Sequence, residues 1–167
     1  MQTEDFLPTI FFCRQNGQLI NVSMAVVIQE MVDANSAGVI FSRNPINGDP
    51  SKITITANFG LGESVVSALS DPDSITVENI FWKQIPELRI IEKKCGSKSK
   101  KIVMTDTDTK EIEMDAENSK LMSISDEIIL DLARLAMKLE ELFGSPRDIE
   151  FAIWKVNKIL HEKYRNY

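Results

Sequence analysis

The chain has 167 residues, 43% hydrophobic and 26% charged, proportions typical of a soluble globular domain. Its formal net charge of −6 argues against nucleic acid as a primary partner, because neutralising phosphates takes clustered Lys and Arg. No apolar run approaches the roughly 20 residues of a membrane span, and the start Gln2-Thr3-Glu4-Asp5 lacks the basic and apolar regions of a signal peptide, so a cytoplasmic protein without a membrane partner is expected.

Residues 24–32 (Met-Ala-Val-Val-Ile-Gln-Glu-Met-Val) are β-branched and apolar enough for a buried strand, and residues 38–41 predict a second, after a turn at 33–36. Turn residues crowd 44–50, and Ile-Thr-Ile-Thr-Ala at 53–57 alternates with period two, which extends the pattern to an antiparallel meander. The segment 63–69 suits a short helix that Asp71-Pro72 stops. Strands are expected at 74–77, 79–82, 88–94, 101–105 and 111–114. The basic run 93–101 reads as a solvated turn between two of them. Then the period changes. Ile128, Ile129, Leu132, Leu135, Ala136, Leu139, Leu142 and Phe143 trace one face of a helix near 125–143. Ser123 and Asp126 resemble a capping box at its start, and Gly144 and Pro146 mark its end. Strands at 151–153 and 158–162, joined around Val156-Asn157, complete an α+β chain that is expected to be a single domain over 1–167.

Few residues offer chemistry. Asp148 and Glu150 are two apart, so on a strand both carboxylates leave one face. Held that close they repel unless a cation sits between them, and Mg²⁺ takes one or two carboxylates with phosphate oxygens and water. A solvated strand face has the same pattern. The loop Asn-Phe-Gly-Leu-Gly-Glu-Ser at 58–64 could offer backbone N–H groups to an anion or serve only as a tight strand-to-helix turn. His161 is the single histidine, which rules out a zinc site of several histidines and leaves it a structural role by default. Cys13 and Cys95 are far apart and read as two free thiols.

Taken in order, these segments resemble the second half of the ATP-binding domain of the pyruvate phosphate dikinase and phosphoenolpyruvate synthase family, which includes rifampin phosphotransferases. The resemblance runs over about residues 10–163. It is carried by residues 24–32, Ala-Gly-Val-Ile-Phe-Ser-Arg-Asn-Pro at 37–45, Gly-Leu-Gly-Glu-Ser-Val-Val at 60–66, Asp-Pro-Asp at 71–73, Gly-Ser-Lys at 96–98, and Leu-Phe-Gly-Ser-Pro-Arg-Asp-Ile-Glu-Phe-Ala-Ile at 142–153.

The family resemblance implies an ATP-grasp-type subdomain, with ATP and Mg²⁺ as cofactors. It puts the adenine against Gln29, Met31 and Val32, with Ser42 and Glu63 lining the nucleotide site and Asp148 and Glu150 facing Mg²⁺ and the phosphates. The chain departs from the family pattern at Ser42, where Thr is usual. His161 and Lys163 stand near the family's Gln and Arg, or Glu162 does if the register shifts by one. The resemblance further implies partner domains outside this sequence: an N-terminal ATP-grasp subdomain bearing a Lys and an Arg for the phosphates, a phosphohistidine domain, and a pyruvate-binding barrel. The expected function is ATP binding within a dikinase-type phosphotransferase, inactive as this chain alone. The alternative is a truncated, non-catalytic relative kept as a nucleotide-binding or protein-interaction module.

Overall fold

The computed structural model describes residues 28, 30–66, 70–80 and 87–154. The chain divides into two compact units, Met1–Met31 and Val32–Tyr167, and nearly all described residues belong to the second. Residues 30–34 carry no regular strand; the rest of the strand expected at 24–32 is outside the described residues, apart from Ile28, as is the one expected at 158–162.

The second unit is α+β. Five strands form one sheet: β1 (Ser36–Phe41), β2 (Lys52–Phe59), β3 (Asp73–Ile80), β4 (Glu87–Lys94) and β7 (Asp148–Ile153), in the order β4-β3-β2-β1-β7. Every neighbouring pair is antiparallel. Between β4 and β7 in the chain come β5 (Lys100–Met104) and β6 (Thr109–Glu113), which pair as a separate hairpin. A short helix, α1 (Glu63–Val66), follows β2, and the long helix α2 (Asp126–Phe143) precedes β7.

The period-two pattern works as the sequence suggests. Ile53, Ile55 and Ala57 of β2 and Ile75 and Val77 of β3 are fully buried on one face, together with Ile40 of β1. Ile129, Ala133 and Ala136 of α2 pack against that face. Each fully buried Ile or Val contributes roughly 1.5–3 kcal/mol, so this layer holds the unit together. A second cluster of Ala34, Ala37, Leu61 and Ile102 ties β5 to the start of β1.

Four expectations change. The strands expected at 74–77 and 79–82 are one strand through Ile80, because Glu78 between them is no turn residue: it faces outward and pairs with Arg89 at 2.7 Å. A bulge opposite Thr76 and Val77 places an extra residue, Ile91, in β4. Ser125, not Ser123, caps α2, its hydroxyl accepting from the Ile128 amide at 3.4 Å. Ser123 is pulled elsewhere, since its N–H and hydroxyl both donate to Asp73. The buried stripe of α2 also runs along Ile129, Ala133 and Ala136, leaving Leu135, Leu142 and Phe143 exposed, because small residues let the helix lie close to the sheet. Gly144 does end α2 as expected, with φ 67 and its N–H on the Glu140 carbonyl.

The fourth change concerns the basic run. Lys98 is not solvated: its side chain is fully buried and its ammonium donates to Asp73 Oδ1 at 2.5 Å, to Cys95 Sγ at 3.0 Å and to the Gly96 carbonyl at 3.1 Å. Asp73 accepts four hydrogen bonds in all, from Lys98 and the Gly96 amide on one oxygen and from the Ser123 amide and hydroxyl on the other. A Cβ at Gly96 would stand 2.1 Å from the Asp71 carbonyl oxygen, so only glycine lets the two segments approach. The Asp-Pro-Asp and Gly-Ser-Lys motifs are therefore two sides of one buried ionic knot. Of the cysteines, Cys95 is free and exposed; Cys13 lies outside the described residues.

Candidate functional site

The two faces of the sheet differ. One is covered by α2; the other carries the alternate residues of each strand. Register places Asp148 opposite Phe41, then Thr54, then Thr76 and Glu92, in one row across the sheet. The next row runs from Glu150 through Val39 and Thr56 to Ser74 and Lys94. Both carboxylates thus stand on the face away from α2, exposed, with half-buried Phe41 and Val39 beside them and hydroxyls of Thr54 and Thr56 beyond. Residues two apart on a strand are about 7 Å apart, close enough for one cation to sense both charges.

Among the described residues no Lys or Arg forms an ion pair with Asp148 or Glu150, and no group of three or more His, Cys, Asp or Glu could enclose a metal ion. Two uncompensated carboxylate donors on an open face fit a hard divalent ion that draws its other ligands from phosphate and water. They do not make a closed, all-protein metal cage.

The other expected site residues fall as follows. Ser42 is buried just beyond β1 but turned towards α2: its hydroxyl donates to Glu140 at 2.5 Å and accepts from the Arg147 amide at 2.8 Å. Arg43 adds an ion pair to the same Glu140 at 2.6 Å. Burial pushes the Glu140 carboxyl up, but hydrogen bonds from Arg43 and Ser42 and the Arg43 charge hold it below its ordinary value. Glu63 opens α1 and is exposed. It follows the end of β2 that lies beside Ser36, whereas Asp148 lies beside Phe41 at the other end of β1, roughly 17 Å along the strand. Met31 is exposed and Val32 half-buried. Gln29, His161 and Lys163 lie outside the described residues.

The structure therefore brings Asp148 and Glu150 together, places Ser42 beside Arg147, next to Asp148, but turned to the α2 side, and leaves Glu63 towards the far end of β1. The glycine loop does not hold an open row of amides: Gly60 N–H donates to the Asn35 carbonyl and Leu61 N–H to the Ile102 carbonyl, both at 2.8 Å. Phe41, Val39, Thr54 and Thr56 were not singled out from sequence as neighbours of the acidic pair. The Ile-Thr-Ile-Thr alternation showed that β2 has a polar face, but only the register shows which residues share it with β7.

The sequence profile described as pyruvate phosphate dikinase, AMP/ATP-binding domain matches residues 8–161. The chain belongs to this family. Among its relatives, the rifampicin phosphotransferase of Bacillus subtilis is 34% identical over 145 residues, 86% of this chain and 16% of that protein. An uncharacterized phosphotransferase of the same organism is 34% identical over 140 residues, 84% and 16% of the two chains. The phosphoenolpyruvate synthase of Pyrococcus furiosus is 30% identical over 152 residues, 86% and 18%. The chain thus spans about a sixth of the length of these curated relatives. As a dikinase-family AMP/ATP-binding domain, it carries its two adjacent uncompensated carboxylates on the sheet face away from α2. Among the described residues no helix is long and apolar enough to cross a membrane.

Proposed function

We propose that this chain is the C-terminal subdomain of an ATP-grasp nucleotide site, working in a cytoplasmic, phosphoenolpyruvate synthase-like phosphotransferase. In that protein ATP phosphorylates a histidine that passes the group to a small acceptor. The observation that carries the reading is the position of Asp148 and Glu150: exposed, side by side, without a cationic partner among the described residues, on the sheet face away from α2, in a family defined by nucleotide binding.

On this reading Asp148 and Glu150 hold Mg²⁺, which would neutralise charge on the phosphate oxygens when bound. Val39 and Phe41 form an apolar floor beside them, and Thr54 and Thr56 offer hydroxyls to the phosphates or to their water. Glu63, Ser42, Gln29, Met31, Val32, His161 and Lys163 complete the nucleotide site by family resemblance. Ser42 then acts from behind the sheet, by fixing Glu140 and the Arg147 amide that precedes Asp148. The cations that phosphoryl transfer requires come from an N-terminal subdomain, and the phosphohistidine from a further domain. Alone, the 167-residue chain binds nucleotide weakly and turns over nothing measurable.

Titration of the ¹⁵N-labelled chain with Mg-ATP tests this. Resonances of Val39, Phe41 and residues 148–150 are expected to shift at millimolar nucleotide, and Asp148→Asn or Glu150→Gln to weaken binding about tenfold, the loss of roughly 1.4 kcal/mol of interaction. Both side chains are exposed, so their thermal stability should stay within about 0.5 kcal/mol of the parent. Absence of any response at millimolar Mg-ATP would overturn the nucleotide site and favour an interaction module.

A further inference from the structure

Glu140 belongs to α2, which covers the sheet face opposite Asp148 and Glu150, yet its side chain is tied to the strand end from which Asp148 starts. Glu140 Oε2 accepts the Ser42 hydroxyl at 2.5 Å, and Ser42 Oγ in turn accepts the Arg147 N–H at 2.8 Å. Arg43 holds the other carboxylate oxygen, Oε1, with its Nε at 2.8 Å and a terminal nitrogen at 2.6 Å. The direction of this chain follows from its protons. A hydroxyl has one to donate and a carboxylate only accepts, so with the Ser42 proton on Glu140 only lone pairs are left to face Arg147.

The strand pairing shows what that bond replaces. The β1–β7 register ends at Phe41 opposite Asp148. Ser42 and Arg147 are the next opposed residues, and a regular antiparallel pair there would exchange two backbone bonds. The Ser42 N–H does donate to the Arg147 carbonyl at 2.9 Å, but the Arg147 N–H goes to the hydroxyl. The main chain entering Asp148 is therefore fixed through a side chain that Glu140 orients. Glu150 stands inside the ladder, opposite Val39, and does not depend on that bond. The Arg147 guanidinium also lies over Phe143 of α2, 4.5 Å from the ring centre, so residue 147 is held from α2 at both its amide and its side chain.

We propose that Glu140 is the positioning residue of the acidic pair: through the Ser42 hydroxyl it fixes the Arg147 amide and so sets where Asp148 stands beside Glu150 for a divalent ion. This rests on the reading of Asp148 and Glu150 as the metal end of a nucleotide site, and adds to it a residue on the far side of the sheet. The 167-residue chain and its variants are titrated with ATP, once with Mg²⁺ and once with excess EDTA. Glu140→Gln keeps the shape and removes the charge; it is expected to weaken Mg-ATP at least about fivefold and to leave metal-free ATP within about twofold, whereas general loosening of the fold would weaken both. Ser42→Ala should act alike, and adding Glu140→Gln to it should cost less than about a further twofold, because the two residues act in one chain. Ser42→Thr, which keeps the hydroxyl, and Glu141→Gln at an exposed neighbour should match the parent, and Ser42→Ala against Ser42→Thr repeats the test with α2 intact. Without nucleotide, hydrogen exchange in Glu140→Gln should quicken at the Arg147 amide and stay unchanged at that of Val39. Thermal melts confirm that each variant is folded. A Glu140→Gln variant that binds Mg-ATP within about twofold of the parent, or that weakens both forms of ATP alike, overturns the positioning role while leaving the nucleotide site standing. A parent chain that does not respond to Mg-ATP at all overturns the nucleotide site and this role with it.

Discussion

Asp73 and Lys98 show how unequal the two halves of one ion pair can be. Replacing Asp73 with Leu strands a buried ammonium, two backbone N–H groups and the Ser123 hydroxyl. Replacing Lys98 with Met leaves the carboxylate three donors, enough to remain ionised. Removing one partner of a buried pair costs about 3–5 kcal/mol, so Asp73→Leu should reach the upper end or prevent folding, and Lys98→Met should cost less. Urea unfolding of the two variants checks the order; equal losses would show that the amide and hydroxyl donors matter little. The pair also sets an acid limit. Burial raises the Asp73 carboxyl, but its bonds from Lys98, Ser123 and Gly96 outweigh this and hold it below its ordinary 3.8. A lowered folded value means the stabilisation is fully present above about pH 4 and is lost as pH falls through the lowered value. Acid titration of stability should therefore be steeper for the parent chain than for a folded Asp73→Asn variant. None of this could be read from Lys98 in a run of lysines, because burial of one among several depends on which segment it meets.

Among the elements, α2 was the most legible, since length, moment and the Gly144-Ser-Pro stop all agree. Its ends should respond as caps do. Ser125→Ala removes the acceptor for Ile128 N–H and should cost about 1 kcal/mol. Gly144→Ala forces a Cβ onto φ 67, in open space, and should cost about 1 kcal/mol from backbone strain alone. Ser123→Ala, which the spacing marked as the cap, should act differently: it removes a donor to Asp73 and should shift the acid limb of the stability curve, whereas Ser125→Ala should not. Thermal melts at neutral pH and at pH 3.5 separate the two. The misassigned cap has a plain cause. Two serines two residues apart satisfy similar spacing rules, and a buried carboxylate from a distant strand claimed one of them.

Across the whole unit the two sheets differ in support. The five-stranded sheet is backed by α2 and the isoleucine layer, while among the described residues β5 and β6 pair as strands with each other and are otherwise held by the Gly60–Ile102 bridge, bonds from the Leu61 amide and the Ser70 hydroxyl to β5 carbonyls, and the small cluster around Ile102. Local opening follows such differences, so backbone amides of β5 and β6 should exchange with solvent well before those of β1, β2 and β3; uniform protection would show a single cooperative unit. The same contrast separates what could be read from the chain and what could not. Alternation, turn residues and helical periodicity are local, and by themselves they determined an α+β chain with a mainly antiparallel sheet, one long helix and a paired acidic motif; the order of several motifs pointed to the dikinase family. Only the tertiary structure decided that Asp148 and Glu150 share a face with Phe41 and Thr54, that Ser42 turns to Glu140 instead, and that Lys98 is buried on Asp73. Those outcomes depend on strand register and on which segments meet across long stretches of chain, and neither is encoded in the spacing of neighbouring residues.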